Sequence, residues 1–245
     1  ADGTATASFR PTAGTTWWLD RAFDGGYGGK KGGYLPWHNY DEGAFDPAGY
    51  ARAGTAAFLE IAGRHHVCSR CRHIMCTREA TVASGPWAGS GVRPEFETIA
   101  LWINCCITDR DAIFYLNALA NRLGLDTMTA AAVIAAAMDL AEHGHAREPG
   151  TPSFGNAGQA VAALEQIACG TSSLGESLAG YGDLIVEAFA GSATEAREVA
   201  AHVTTAFGGL GYAGIEPKVF PGMFLAYATS SRGRGDHTSA WTIQA

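Results

Sequence analysis

The sequence predicts an all-α, multihelical fold, and three observations carry that expectation. Apolar residues recur at steps of three and four along 108–123 (Ile113, Leu116, Ala120, Leu123) and again along 129–143 (Val133, Ala137, Ala141), the period of a helix with one buried face. Gly124 and Gly144 follow those two runs, where a left-handed residue commonly ends a helix. Stretches that alternate apolar with polar residues, as a half-buried strand requires, are scarce throughout.

Taken in order, residues 1–12 show no period. Thr15 or Thr16 offers an N-cap hydroxyl for a short helix over WWLDRAF. The segment 25–40 holds six Gly and one Pro in sixteen residues, so it is loop. It contains neither GxGxxG nor GxxxxGK[ST], which leaves a surface or ligand-facing loop as its reading. Asp46-Pro47 opens a helix expected to run through Arg64, with Pro in the first turn where its missing N–H is harmless. Residues 80–94 return to loop. Thr108 and Asp111 then resemble a capping box, with Asp in place of Glu, for the helix 108–123. In the following helix, small residues on one stripe let a neighbouring helix approach closely. The segment 143–153 (HGHAREPGTPS) is the best internal boundary. It divides a helical domain over 1–150 from a second over 151–245. Beyond it, helices are expected at roughly 156–168, 181–190 and 193–207, and at the start of 220–245.

Composition narrows the functional classes. Hydrophobic residues make up 47% of the 245 residues, so the chain has material for a core. The formal charge of −7, with no basic stripe, argues against a nucleic-acid surface. No apolar run reaches the roughly 18 residues of a membrane span. ADGTATASFR has neither the pattern of a signal peptide nor an initiator Met. Charged residues are 17%, against about 25% in an average soluble domain. Either a large face is buried against another chain, or alanine simply replaces Lys and Glu. The adjacent Cys105 and Cys106 and the solitary Cys169 make a poor disulfide framework. Free or metal-bound thiols in a reducing, cytoplasmic compartment fit better.

Four groups of residues carry candidate chemistry. The segment RHHVCSRCRHIMC places Cys68, Cys71 and Cys76 at C-x2-C-x4-C, among His65, His66 and His73. Three close thiolates with a remote fourth suit a [4Fe–4S] centre. Thiolates completed by a nearby His suit zinc, and a buried cluster with no ligand role is the third reading. Glu95 and Glu97 stand two apart in PEFETIA, as a general acid or base in a pocket or as solvated acids at a helix start. In NRLGLD, Asp126 follows a glycine turn. It can accept hydrogen bonds from a flat heterocycle with adjacent N–H donors, or cap the next helix. RGRGDHTSAW sets Arg232 and Arg234 near His237, where the arginines could grip an anion or the loop could be purely structural.

These pieces occur in an order that resembles a known family. The run PEFETIALWINCCITDRDAIFYLNALANRLGLDTMTAAAVIAAAMDLAEHG resembles the middle of aldehyde:ferredoxin oxidoreductases, the tungsten–bispterin enzymes. GTTWWLDRAFDGGYGGKKGGYLPWHNYDEGAFD, with its LP-x-x-N-x-x-x-G, is similar to their segment before the cluster. GNAGQAVAALEQIA and MFLAYATSSRGRGDHTSAW are similar to their later helices and a histidine-bearing loop. The resemblance covers about residues 13–242 and implies the helical domains 2 and 3 of that fold.

Residue by residue, the resemblance implies a [4Fe–4S] cluster on Cys68, Cys71 and Cys76. It implies pterin contacts at Asn121, Gly124, Leu125 and Asp126, with Arg232 beside the cofactor. Glu95 or Glu97, and His237, match residues near tungsten and would serve in proton transfer. The implied reaction adds water to an aldehyde, and its electrons pass through the cluster to a ferredoxin. The cysteine spacing is one residue longer than the family's usual C-x2-C-x3-C, Asn121 stands where Asp is usual, and Cys106 stands where Gly is common. The family's β-rich N-terminal pterin domain and the fourth cluster cysteine have no counterpart in the sequence. A pterin-domain subunit or a homo-oligomer partner, a ferredoxin-like acceptor and a small aldehyde are therefore the expected partners, and tungsten or molybdenum the expected metal. The alternative expectation is a family member without redox cofactors, serving as a small-molecule-binding, scaffold or zinc-binding accessory protein.

Overall fold

The computed structural model describes residues 12–24, 35–41, 47–66, 76–146 and 148–203, together with 214, 225 and 229. Apart from Leu225 and Thr229, the expected helix at the start of 220–245 lies outside those residues, as do His237, Arg232, Cys68 and Cys71.

The helical expectation holds, with one small sheet added. A 3₁₀ turn at Gly14–Thr16 leads into α1 (Trp17–Phe23). Thr16 stands at the N-cap but makes no capping bond; its hydroxyl donates to Ala13 O at 2.5 Å. Thr15 Oγ1 instead accepts from the Phe96 N–H at 3.1 Å, fastening this turn to a distant helix.

The single helix expected over 47–64 is two. Pro47–Ala53 forms α2 and Thr55–Ile61 forms α3, broken at Gly54, whose backbone is extended (φ −78°, ψ −173°). A Cβ at Gly54 would fall 2.6 Å from the Tyr50 ring, which stacks on Phe23 with centroids 3.9 Å apart. The break therefore lets α2 hold an aromatic ring against α1.

The chain then turns into β1 (Ala62–His66), where helix was expected. β2 (Thr77–Thr81) pairs antiparallel with β1, placing His65 opposite Arg78 and His66 opposite Thr77. β3 (Gly91–Val92) adds to β2, so part of the expected loop 80–94 is strand. Neither β1 nor β2 alternates cleanly between buried and exposed positions. The pairing leaves no period-2 signal to read.

The core lies in the next three helices. α4 (Phe96–Asn104) buries eight side chains. α5 (Arg110–Arg122) is capped by Asp109, whose side chain accepts from the Asp111 and Ala112 N–H groups, in place of the Thr108–Asp111 box. α6 (Thr127–Glu142) buries every residue from Thr129 to Leu140. The stripe expected on α6 is a fully wrapped helix, because alanines on all sides let six neighbours approach.

α7 (Ala157–Cys169), α8 (Ser173–Ala179), α9 (Tyr181–Phe189) and α10 (Ala193–His202) complete the described chain. Three of these match the expected helices, and α8 was not foreseen. Asn156, Ser172 and Ser192 cap α7, α8 and α10 through side-chain oxygens. One buried apolar cluster runs from Leu19 to Val203. No single described helix is long and apolar enough to cross a membrane.

Candidate functional site

An open cleft of about 360 Å³ lies where the start of α4, the second half of α5 and the start of α6 meet; its lining includes Glu95, Glu97, Thr98, Asn117, Asn121, Asp126 and Thr127. Local sequence explains how each arrives. Glu95 is the N-cap residue of α4 and Glu97 lies in its first turn, with the buried Phe96 between them as an anchor. Asn117 and Asn121 are four apart on α5, hence on one face, and Asn121 Nδ2 donates to Asn117 Oδ1 at 3.1 Å.

The chain leaves α5 through a left-handed turn. Gly124 has φ +74°, its N–H bonds Asn121 O, and the Leu125 N–H bonds Ala120 O at 2.9 Å, closing the helix end as such turns do. A Cβ on Gly124 would meet nothing within 4 Å, so the glycine is required by its φ rather than by crowding. The turn delivers Asp126 to the N-cap of α6, where Oδ1 accepts the Thr129 N–H at 2.7 Å. Asp126 thus caps α6 and also lines the cleft. Thr98 and Thr127 hydroxyls, 3.3 Å apart, tie α4 to the start of α6.

Leu125 faces elsewhere. It lines a separate cavity of about 120 Å³ with Val133, Ile167 and Leu178, and Asp126 is the residue common to both.

The acids are electrostatically unusual. Burial pushes the Glu97 carboxyl up to about 7; a backbone hydrogen bond opposes this and the Glu95 charge adds to it. Glu95, more open to solvent, is raised by burial in the same direction. Near a helix N-terminus the dipole favours the ionised form, so desolvation outweighs it here. A carboxyl that is partly protonated at neutral pH is suited to proton exchange.

The thiols divide differently. Cys76 precedes β2, and its carbonyl accepts the Thr15 N–H at 2.8 Å. Cys105 is fully buried at the end of α4, 3.5 Å from Ala131 O, and burial pushes its thiol well up, which opposes any thiolate role. The sequence reading overlooked Asn117, although its four-residue spacing from Asn121 was the available signal.

Comparison with known proteins adds the remaining finding. A family model for aldehyde ferredoxin oxidoreductase, domains 2 and 3, matches residues 9–245. A tungsten-containing aldehyde ferredoxin oxidoreductase of Pyrococcus furiosus is 30% identical over 220 residues, covering 87% of this chain and 34% of that protein. Its counterpart in Thermococcus kodakarensis is 34% identical over 116 residues, covering 47% of this chain and 18% of that one. The Pyrococcus abyssi protein of the same name is 29% identical over 223 residues, 86% of this chain and 33% of its own. At its longest, the match spans about a third of these curated relatives.

Proposed function

The chain belongs to the aldehyde ferredoxin oxidoreductase family, and we propose that it forms the helical part of an enzyme that oxidises a small aldehyde to the carboxylic acid. In this reading the cleft faces a tungsten or molybdenum bispterin. A β-rich pterin-domain chain, or a second copy of this one, closes the other side, and a ferredoxin-like protein takes the electrons. The observation that carries the reading is the Glu97 carboxyl, held near 7, in one cleft with Asn121 and Asp126.

The donor set suits a pterin. Its edge offers adjacent N–H donors, and the Asp126 carboxylate with the amide oxygens of Asn117 and Asn121 supplies acceptors along the cleft wall. Gly124 leaves the approach open. When bound, the cofactor supplies the two-electron chemistry by which aldehyde and water become acid, two protons and two electrons. Glu97 takes one of those protons at its carboxylate, and Glu95, beside it, keeps that carboxylate basic. His237 would carry the proton onward, and Arg232 would pair with an anionic group of the cofactor. Cys68, Cys71 and Cys76 would hold a [4Fe–4S] cluster, which would supply the electron relay.

Metal analysis of the native assembly purified through this chain tests the proposal. Iron at about four per chain, with tungsten or molybdenum, is expected. Glu97→Gln lowers kcat by roughly 100-fold or more and removes the limb of the pH profile near neutrality. Zinc alone at the thiols of a colourless protein overturns the redox reading. That outcome selects the accessory-protein reading, which the longer C-x2-C-x4-C spacing favours.

A further inference from the structure

A second constellation lies at the opposite end of α6. Asp139 and His143 are one turn apart at the C-terminal end of that helix, and His202 is the last residue of α10. The His143 Nδ1 is 3.0 Å from Asp139 Oδ1, and the His202 Nδ1 is 3.0 Å from Asp139 Oδ2. One ligand atom from each of the three residues lies within 4.8 Å of the others. The two imidazole rings have centroids 4.2 Å apart.

We propose that Asp139, His143 and His202 bind a divalent transition-metal ion of the zinc class. Two imidazoles and a carboxylate form a donor set suited to such ions. Donor atoms about 2.1 Å from one ion are roughly 3.0 Å apart at right angles and 3.4 Å apart at the tetrahedral angle, so the two 3.0 Å nitrogen–oxygen spacings suit one ion once the imidazoles, now set against different oxygens of Asp139, close toward it. The Asp139 side chain is only 6% exposed, and each of its two oxygens lies 3.0 Å from an imidazole Nδ1. A buried carboxylate is costly without a compensating positive charge, and a cation supplies one.

The surroundings agree in sign and in shape. Two helices end at this point, each presenting the negative end of its dipole. Asn39 Nδ2 donates to Asp139 Oδ2 at 2.9 Å and to His202 O at 2.8 Å, which fixes the carboxylate and the end of α10, as outer-shell groups do at metal sites. Asn39 reaches this position from a run of three left-handed residues, His38, Asn39 and Tyr40 (φ 54°, 51° and 66°). His145 is paired with Glu195 and stays outside the donor set. The ion would staple α6, α10 and the 38–40 segment together, leaving one position open to water beside the half-exposed His143.

Cobalt(II) titration of the full chain, monitored by visible absorption, tests this separately from the thiol cluster. A nitrogen and oxygen site gives d–d bands without the near-ultraviolet thiolate charge-transfer band that Cys68, Cys71 and Cys76 would add. His143→Gln and His202→Gln weaken the nitrogen–oxygen component at least about tenfold, the lower range for disturbing a metal site, and His66→Gln leaves it unchanged. In the unaltered chain, bound cobalt shifts the ring protons of His143 and His202, a readout that survives if a variant fails to fold. Unshifted rings, or a spectrum of thiolate-bound cobalt alone, overturn the site without touching the family reading.

Discussion

At the residue scale, Glu97 is the group whose environment most changes its chemistry. Its carboxyl moves from the usual 4.5 to about 7. Between those values the folded chain holds a proton that the unfolded chain has released, so stability falls as pH rises through the window and is flat outside it. Glu97→Gln removes that cost. The full shift corresponds to roughly 3 kcal/mol, and the partial exposure of the side chain reduces the expectation to about 2 kcal/mol. Urea unfolding should show the variant more stable than the parent by that amount at pH 8, with the difference vanishing below about pH 4.5. Equal stabilities at pH 8 refute the burial argument. Gly124 gives the complementary case. Its φ of +74° disfavours any Cβ, although space is open, so Gly124→Ala costs about 1 kcal/mol through the backbone alone. Its crystal or solution structure should show the turn unmoved. Asp126, Gly124 and Glu97 were legible in the sequence because turn and helix-start chemistry is local. Asn39 and Asp139, 100 positions apart, meet only through the tertiary fold, and no spacing rule reaches that far.

At the element scale, what was legible depended on whether an element carries its own period. α5 and α7 do, and their limits fell within a few residues of expectation. β1 and β2 do not, since β1 has two exposed residues in succession and β2 three half-buried ones. They exist because the hairpin pairs them across the cysteine segment. α8 is short and was hidden for another reason: it is held by packing more than by pattern. Its Gly175 sits so close to α7 that an added Cβ would lie 2.2 Å from the Gln166 carbonyl oxygen. That neighbour is backbone and cannot swing away. Ser172, capping α8, also donates to Gln166 Oε1 at 2.7 Å, locking the same seam. Gly175→Ala should therefore force α8 off α7 and cost about 1–3 kcal/mol, visible as a lowered urea midpoint. A neutral result would mean that the two helices slide apart freely, against the close approach at Gly175.

At the scale of the whole molecule, α6 organises both sites. Asp126 caps its N-terminus in the acidic cleft, and Asp139 and His143 stand at its other end. Sixteen residues separate the ends by roughly 24 Å. The helix between is wrapped on all sides by α4, α5, α7, α8, α9 and α10, so it transmits position without having a second arrangement to switch into. Coupling between distant sites needs such a bistable element. The sequence showed the alanines that permit this wrapping but not that every face would be used. The two ends should then be energetically independent. Asp126→Ala removes a capping bond and should cost about 1 kcal/mol. His143→Gln removes one arm of the metal constellation and lowers stability chiefly when zinc is present. In zinc-saturated protein, the double variant should lose the sum of the two single losses to within about 0.5 kcal/mol, the behaviour of sites well beyond 10 Å apart. A discrepancy above about 1 kcal/mol would show that the cleft and the metal constellation read each other through α6, and that the buried helix is not the rigid rod its packing implies.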